Sequence, residues 1–212
     1  MRTQVKICGI REPRAQQAAV EGGARFIGFV FYPASPRYVS RDTAKELALM
    51  LPTGVKAVGL FVDSTDEELA HILGHVQLDM IQLHGKETPE RVAEIKARFA
   101  MPVIKAISVS QAQDLKNAAR YGAVVDWLLF DTKAPAGSLP GGTGQSFDWS
   151  LLQGQSFDKP WMLSGGLNVE NVQEALHRLS PAAVDVSSGV ERVRGVKDPD
   201  KIKAFLGAVK RL

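Results

Sequence analysis

One residue of the 212 is a cysteine, and it closes a short β-branched run, Val5-Lys6-Ile7-Cys8-Gly9-Ile10. Side chains alternate along an extended chain, so Lys6 and Cys8 share one face and Val5 and Ile7 the other. A thiol near the carboxyl end of a strand, two residues from an ammonium, suits a base or a nucleophile; a lone cysteine is also commonly a small buried hydrophobe. With an ordinary pKa of about 8.5, roughly 3% of a thiol is ionised at pH 7, so Lys6 is expected to lend the charge that Cys8 needs to take a proton. A second apolar run, Trp127-Leu128-Leu129-Phe130-Asp131-Thr132, ends in a carboxyl. Enclosed there, Asp131 would keep its proton and serve as an acid. A base and an acid facing one another across a bound molecule could move a proton from one of its atoms to another.

Other polar residues fall at matching places. In Met80-Ile81-Gln82-Leu83-His84-Gly85, Gln82 and His84 share a face, and His84 reads either as an acid–base group or as a hydrogen-bonded packing residue. Asp185 either orients a substrate or balances Lys6. Arg37 stands between two prolines and Tyr38, where its guanidinium fork suits a carboxylate, or else it is a solvated loop arginine. The loops Ser164-Gly165-Gly166-Leu167-Asn168 and Ser187-Ser188-Gly189-Val190-Glu191 carry the small residues that let backbone N–H groups approach a phosphate. No G-x-x-x-x-G-K-[ST] run is present, which favours the phosphate of a small metabolite over a nucleoside triphosphate. Nor is there an H-E-x-x-H, paired-Cys or clustered-His motif, so no metal is expected.

These residues need a scaffold that brings the ends of several strands together. Strands are expected over residues 5–10, 26–31, 55–62, 80–85, 103–109, 127–132, 161–166 and 183–189. Helices are expected over 12–23, 42–51, 65–74, 88–99, 110–121, 168–179 and 199–212, with a weak helix at 149–153. Proline in the first turn and glycine after the last mark several of these helices. Short apolar strands alternating with helices, without hairpin signals, argue a parallel sheet of the α/β class. Eight right-handed crossovers close it into a compact (β/α)8 TIM barrel, a single domain over residues 1–212. An open dinucleotide-binding sheet is disfavoured, because the first turn lacks G-x-G-x-x-G spacing. Active sites of this barrel lie at the carboxyl ends of the strands, with phosphate at the last two loops. The longest loop, 133–147, holds Gly137, Gly141, Gly142 and Gly144 and is a candidate lid.

With 45% hydrophobic and 23% charged residues and a net charge of +3, the composition is that of an ordinary globular protein. Its cations are scattered among acids, which suits an anionic small substrate better than a nucleic acid. One cysteine excludes an intramolecular disulfide. The first residues lack a signal-peptide pattern, and no apolar run reaches transmembrane length, so a cytoplasmic setting without membrane contact is expected.

Taken together, Lys6-Ile7-Cys8-Gly9-Ile10, Ser35-Pro36-Arg37-Tyr38, Gln82-Leu83-His84-Gly85, Phe130-Asp131, Gly141-Gly142-Thr143-Gly144, Phe147-Asp148-Trp149, Ser164-Gly165-Gly166-Leu167 and Asp185-Val186-Ser187-Ser188-Gly189-Val190-Glu191 span the chain in one order. In that order they closely resemble the phosphoribosylanthranilate isomerase family of tryptophan biosynthesis. The resemblance implies an aldose–ketose isomerase that converts N-(5-phospho-β-D-ribosyl)anthranilate to 1-(2-carboxyphenylamino)-1-deoxy-D-ribulose 5-phosphate by an Amadori rearrangement. By position it makes Asp131 the acid that opens the furanose ring and Cys8 the base at C2, and it puts the anthranilate carboxylate on Arg37. The phosphate would rest on the two small-residue loops, with Lys6, His84 and Asp185 near the substrate. It implies no cofactor, and a monomer or a homodimer. One departure stands out: Arg194-Gly195 replaces the family's Pro-Gly turn, loosening it or adding positive potential from Arg192 and Arg194. Two alternatives remain. A related aminoaldose isomerase of histidine biosynthesis would carry aspartate where this chain has Cys8, and an idle phosphometabolite-binding barrel would not need both Cys8 and Asp131.

Overall fold

The computed structural model describes residues 3–133 and 146–211. Strands β1 (Gln4–Cys8), β2 (Phe26–Val30), β3 (Lys56–Phe61), β4 (Met80–Leu83), β5 (Val103–Val109), β6 (Trp127–Thr132), β7 (Trp161–Leu163) and β8 (Ala183–Val186) pair in sequence order, and β8 returns to β1 to close the barrel. Each neighbouring pair is parallel, as the expected crossovers require, and the register puts Lys6 beside Phe26 on one side and Asp185 on the other. Helices α1 (Pro13–Glu21), α2 (Arg41–Leu49), α3 (Asp66–Leu73), α4 (Pro89–Phe99), α5 (Ala112–Tyr121), α6 (Val172–Arg178) and α7 (Pro199–Lys210) form the outer layer. Between β6 and β7 the described residues hold a single 3-10 turn, Trp149–Leu152, where a weak helix is expected from sequence. The glycines at 137, 141, 142 and 144, with the proposed lid, lie outside the described residues.

Local chemistry explains where the helices begin. Ser40, Thr65 and Thr88 each accept a hydrogen bond from the backbone N–H three residues on, and the Glu68 carboxylate accepts one from the Thr65 N–H. Pro13, Pro89 and Pro199 occupy first-turn positions, where an N–H would have no partner anyway. Outward strand residues such as Ile7, Ile27, Phe29, Ile81 and Phe130 pack under Ala15, Leu47, Leu69, Ile95 and Phe205 of the helices. Each such side chain contributes about 1.5–3 kcal/mol when fully enclosed.

The inward faces carry a different set. Phe26, Val58, Met80, Ile104, Ala106, Leu129, Met162 and Ala183 fill the lower barrel as a second apolar cluster. Two or four residues further along these strands and their neighbours come Lys6, Cys8, Gln82, His84, Asp131 and Asp185. Greasy below and polar above, the interior puts its functional groups at the carboxyl ends of the strands. An outward ion pair braces this rim: Lys105 Nζ donates to Glu87 Oε2 at 2.9 Å and to the Gly85 carbonyl at 2.8 Å, pinning the loop after β4 to β5.

The expectation of a chain without hairpins needs correction. After β8, β9 (Glu191–Val193) and β10 (Val196–Lys197) form a small antiparallel ribbon. Arg194-Gly195 makes its turn, and Gly195 adopts φ +83°, a conformation that glycine alone takes at no cost. Strands of three and two residues are too short to show alternation in a sequence. Among the described residues no helix is long and apolar enough to cross a membrane.

Candidate active site

At the mouth of the barrel one cavity is lined by Cys8, Arg37, His84, Asp131, Ser164, Asp185, Ser187 and Arg194, with Val30, Tyr32, Leu60 and Val62 supplying an apolar wall. Cys8 and Asp131 therefore open on the same space from β1 and from the end of β6. Lys6 sits one layer lower and is wholly enclosed, while Gly165, Gly166, Ser188 and Gly189 stand in the flanking loops outside the lining.

Three polar networks organise the cavity. In the first, Lys6 Nζ donates to Asp185 Oδ1 at 2.9 Å, and Ser164 Oγ donates to Asp185 Oδ2 at 3.1 Å. Asp185 thus balances Lys6, one of the two roles its position allows. Burial works against the charge on Lys6, but Asp185 and then Cys8 outweigh it and hold the ammonium above its ordinary range. For Cys8 the outcome reverses the expectation. Burial pushes the thiol up, Lys6 pulls it down, Asp185 pushes it up again and Lys197 pulls it down, leaving it above the ordinary value. Lys6 alone does not activate the thiol, because burial outweighs its pull and Asp185 opposes it.

The second network orders Asp131. His84 Nε2 lies 3.1 Å from Asp131 Oδ2, and Gln82 Nε2 lies 2.9 Å from His84 Nδ1. When the Gln82 amide donates to Nδ1, the ring proton must sit on Nε2, and His84 then donates to Asp131. The backbone N–H of Thr132 donates to Asp131 Oδ1 at 2.8 Å. His84 is therefore a hydrogen-bonded group, as its inward position suggests, and it also lines the cavity. Gln82 Oε1 is left buried without a partner among the described residues.

The third network is one that sequence reasoning missed. Arg37 is neither displayed nor solvated: only 7% of its surface is exposed, and its fork grips Glu191, Nε to Oε1 at 2.7 Å and Nη2 to Oε2 at 3.0 Å. The rigid prolines lay the arginine across the barrel mouth, 154 residues from its partner in sequence. Lys197 joins the pair, donating to Glu191 Oε1 and to the Ser187 carbonyl, each at 2.9 Å. Burial raises the Glu191 carboxyl, yet Arg37, Lys197 and the Gly195 N–H together bring it down to about 2. Burial lowers Lys197, against the pull of Glu191, to about 8. Glu191 ends one of the small-residue loops quoted above, but its burial and its partners cannot be inferred from local pattern. The same holds for Lys197, Ser164 and the apolar wall.

In the loops after β7 and β8, the N–H groups of Gly165, Gly166, Ser188 and Gly189 donate to no protein acceptor among the described residues. Ser188–Val190 forms a 3-10 turn whose first N–H groups point out of it. Gly165 takes φ +87° and lies hard against Thr132, so a Cβ there would collide with the residue next to Asp131. Among the described residues no group of three or more His, Cys, Asp or Glu side chains is placed to hold a metal ion.

Comparison with known proteins bears on the whole of this arrangement. Residues 5–208 match the family model described as N-(5'-phosphoribosyl)anthranilate isomerase. The enzyme of that name from Paracoccus denitrificans is 55% identical over 97% of this chain and 96% of its own length, and the one from Rhodospirillum centenum is 55% identical over the full length of both. A crystal structure of phosphoribosyl anthranilate isomerase from Thermotoga maritima superposes with a TM-score of 0.90 at 43% identity, covering 99% of this chain and 100% of that one. Another, in complex with reduced 1-(o-carboxyphenylamino)-1-deoxyribulose 5-phosphate, superposes with a TM-score of 0.83 at 39% identity and the same coverage. With a closed eight-stranded barrel, a cavity at its carboxyl end and these relatives along its whole length, the chain belongs to the N-(5'-phosphoribosyl)anthranilate isomerase family, enzymes of tryptophan biosynthesis.

Proposed function

We propose that this chain carries out the family's Amadori rearrangement with Asp131 as general acid and Cys8 as general base. The observation that carries the reading is that a carboxyl from β6 and a thiol from β1 line one cavity, each held by its own network. In its protonated form Asp131 gives its proton to the furanose ring oxygen of N-(5-phosphoribosyl)anthranilate as the C1–O bond breaks, leaving a Schiff base between C1 and the anthranilate nitrogen. Cys8, as thiolate, then removes the proton from C2: the C–H bond breaks, an S–H bond forms, and the electron pair moves into the imine to give an enolamine. Tautomerisation to the ketone completes an isomerisation in which no atom is gained or lost. The imine itself accepts the C2 electrons, so the sequence of steps calls for no cofactor.

Binding is assigned to other groups. The phosphate is read as lying on the N–H groups of Gly165, Gly166, Ser188 and Gly189, which have no acceptor among the described residues, with Ser187 beside them. The anthranilate carboxylate is read as lying near Arg37, whose guanidinium Glu191 holds in place, and the aromatic ring against Val30, Leu60 and Tyr32. Positioned acid and base groups each contribute typically 10²–10⁴-fold. Asp131→Asn and Cys8→Ala are therefore each expected to cut turnover by at least about 100-fold while inorganic phosphate still competes for the site. Turnover is followed by the loss of fluorescence as the anthranilate adduct, made in place, is consumed. Near-normal turnover in either variant would remove that residue from its role.

A further inference from the structure

His84 stands just past the end of β4, and its ring meets Asp131 Oδ2 at 3.1 Å. What holds the chain there lies on the other side of the barrel wall. Lys105 projects from the outward face of β5, and its three hydrogens meet three oxygens: the Leu83 carbonyl at 3.3 Å, the Gly85 carbonyl at 2.8 Å and Glu87 Oε2 at 2.9 Å. The two carbonyls belong to the residues on either side of His84. Glu87 completes the grip, accepting from the Gly85 N–H at 3.0 Å and from the Asp63 N–H at 2.9 Å, so the loops after β3 and β4 share one carboxylate. Asp63 Oδ1 accepts from the Lys86 N–H at 2.6 Å. Tyr121 closes the outside, its hydroxyl donating to the Glu87 carbonyl at 2.9 Å and its ring centre lying 5.7 Å from the Lys105 ammonium. Lys105 is 2% exposed and Glu87 5%, and neither lines the cavity.

We propose that Lys105 and Glu87 are positioning residues for the reaction: by fixing the backbone on both sides of His84 they set its ring against Asp131, and through that contact they set kcat. Hydrocarbon side chains of the same size would fill the space but would pin neither carbonyl. The frame is shared, because β5 pairs Lys105 with Leu83 of β4 on one side and Ser108 with Asp131 of β6 on the other. Gly85 packs on Asp63 too closely to admit a Cβ, so the loop after β3 backs the one that carries His84. A bond of 3.1 Å leaves little slack: moving the ring away by about 1 Å takes it past hydrogen-bonding range, and a misplacement of that size at a reacting centre costs up to about 100-fold in rate.

The inference rests on reading Asp131 as the acid, and its test separates the two. Lys105→Met is expected to lower kcat at least about tenfold with KM changed by less than about twofold, the split that a displaced reacting group gives. Glu87→Gln, whose remaining oxygen still serves the Asp63 and Gly85 N–H groups, is run beside it in case Lys105→Met does not fold. A clamp that acts through His84 has nothing left to do once that ring is gone, so Lys105→Met combined with His84→Asn should turn over within about twofold of His84→Asn alone. Histidine-selective NMR gives a readout without turnover: of the four histidines, His84 should show shifted ring nitrogens in the clamp variants while His71, His75 and His177 stay in place. General loosening of the barrel would instead move KM and several rings together. His84 resonances unmoved in the folded variant, equal losses in kcat and KM, or losses that multiply in the double variant overturn the proposal. If the His84 ring shifts as expected while Asp131→Asn turns over normally, the positioning of the ring stands and the assignment of the acid fails.

Discussion

Replacing Glu191 by glutamine strikes the point where the βα loops are tied together, and its cost follows from the contacts removed. The carboxylate accepts from Arg37 Nε at 2.7 Å, Arg37 Nη2 at 3.0 Å, Lys197 Nζ at 2.9 Å and the Gly195 N–H at 3.0 Å. An amide presents a donor to a site made of donors and leaves two buried cations short of counter-charge. Breaking a buried pair by removing one partner costs about 3–5 kcal/mol; because glutamine keeps one acceptor oxygen, we expect about 3 kcal/mol at pH 7. For a chain of 212 residues this corresponds to a fall in Tm of about 7 °C. Linkage supplies an independent check. Burial raises the Glu191 carboxyl, but Arg37, Lys197 and Gly195 bring it from 4.5 to about 2, so the folded state binds this proton less tightly than the unfolded state. The stabilisation is therefore complete above about pH 4.5 and is lost as pH falls toward 2, and that shift is equivalent to about 3 kcal/mol. The difference between wild type and Glu191→Gln, taken from urea unfolding followed by tryptophan fluorescence, should fall by about 2 kcal/mol between pH 7 and pH 3, leaving about 1 kcal/mol. A loss below about 1 kcal/mol at pH 7, or a difference that does not shrink on acidification, would refute the reasoning.

Three further substitutions test other parts of the structure. Lys105→Met strands the buried Glu87 carboxylate and should cost about 3 kcal/mol in urea unfolding; an unchanged midpoint would mean that the bonds from Asp63 and Gly85 suffice for Glu87. Gly165→Ala forces a side chain into a backbone with φ +87° and against Thr132, so kcat should fall at least about tenfold as Asp131 is displaced, with a stability loss of about 1–3 kcal/mol; normal kcat would show that the loop yields without moving the acid. Gln82→Leu removes the donor that keeps the His84 proton on Nε2 and should lower kcat about tenfold with little change in KM; equal loss in both would point to binding instead.

The barrel was legible because its signals are local. Period-2 alternation turns Lys6, Cys8, Gln82, His84, Asp131 and Asp185 inward once the strands are placed, and Ser40, Thr65, Thr88, Pro89 and Pro199 mark helix starts within a single turn. What pairs with what was not legible. Lys6 meets Asp185 across 179 residues and Arg37 meets Glu191 across 154, and those meetings depend on ring closure and on a ribbon whose strands, of three and two residues, are too short to advertise themselves. The direction of the Cys8 shift was misread for the same reason. Lys6 is close in sequence and so looked decisive, whereas the burial that outweighs it is a product of the closed barrel, and Asp185, which opposes it, and Lys197, which adds to it, come from the far end of the chain.

The hydrocarbon that fills the lower barrel does more than pack. Phe26, Val58, Met80, Ile104, Leu129 and Met162, with Trp127 against them, form a plug of low permittivity directly beneath the charged layer. With hydrocarbon on that side in place of water, the attraction between Lys6 and Asp185 is screened less than it would be at the surface, so the plug tightens the ion pair that rests on it.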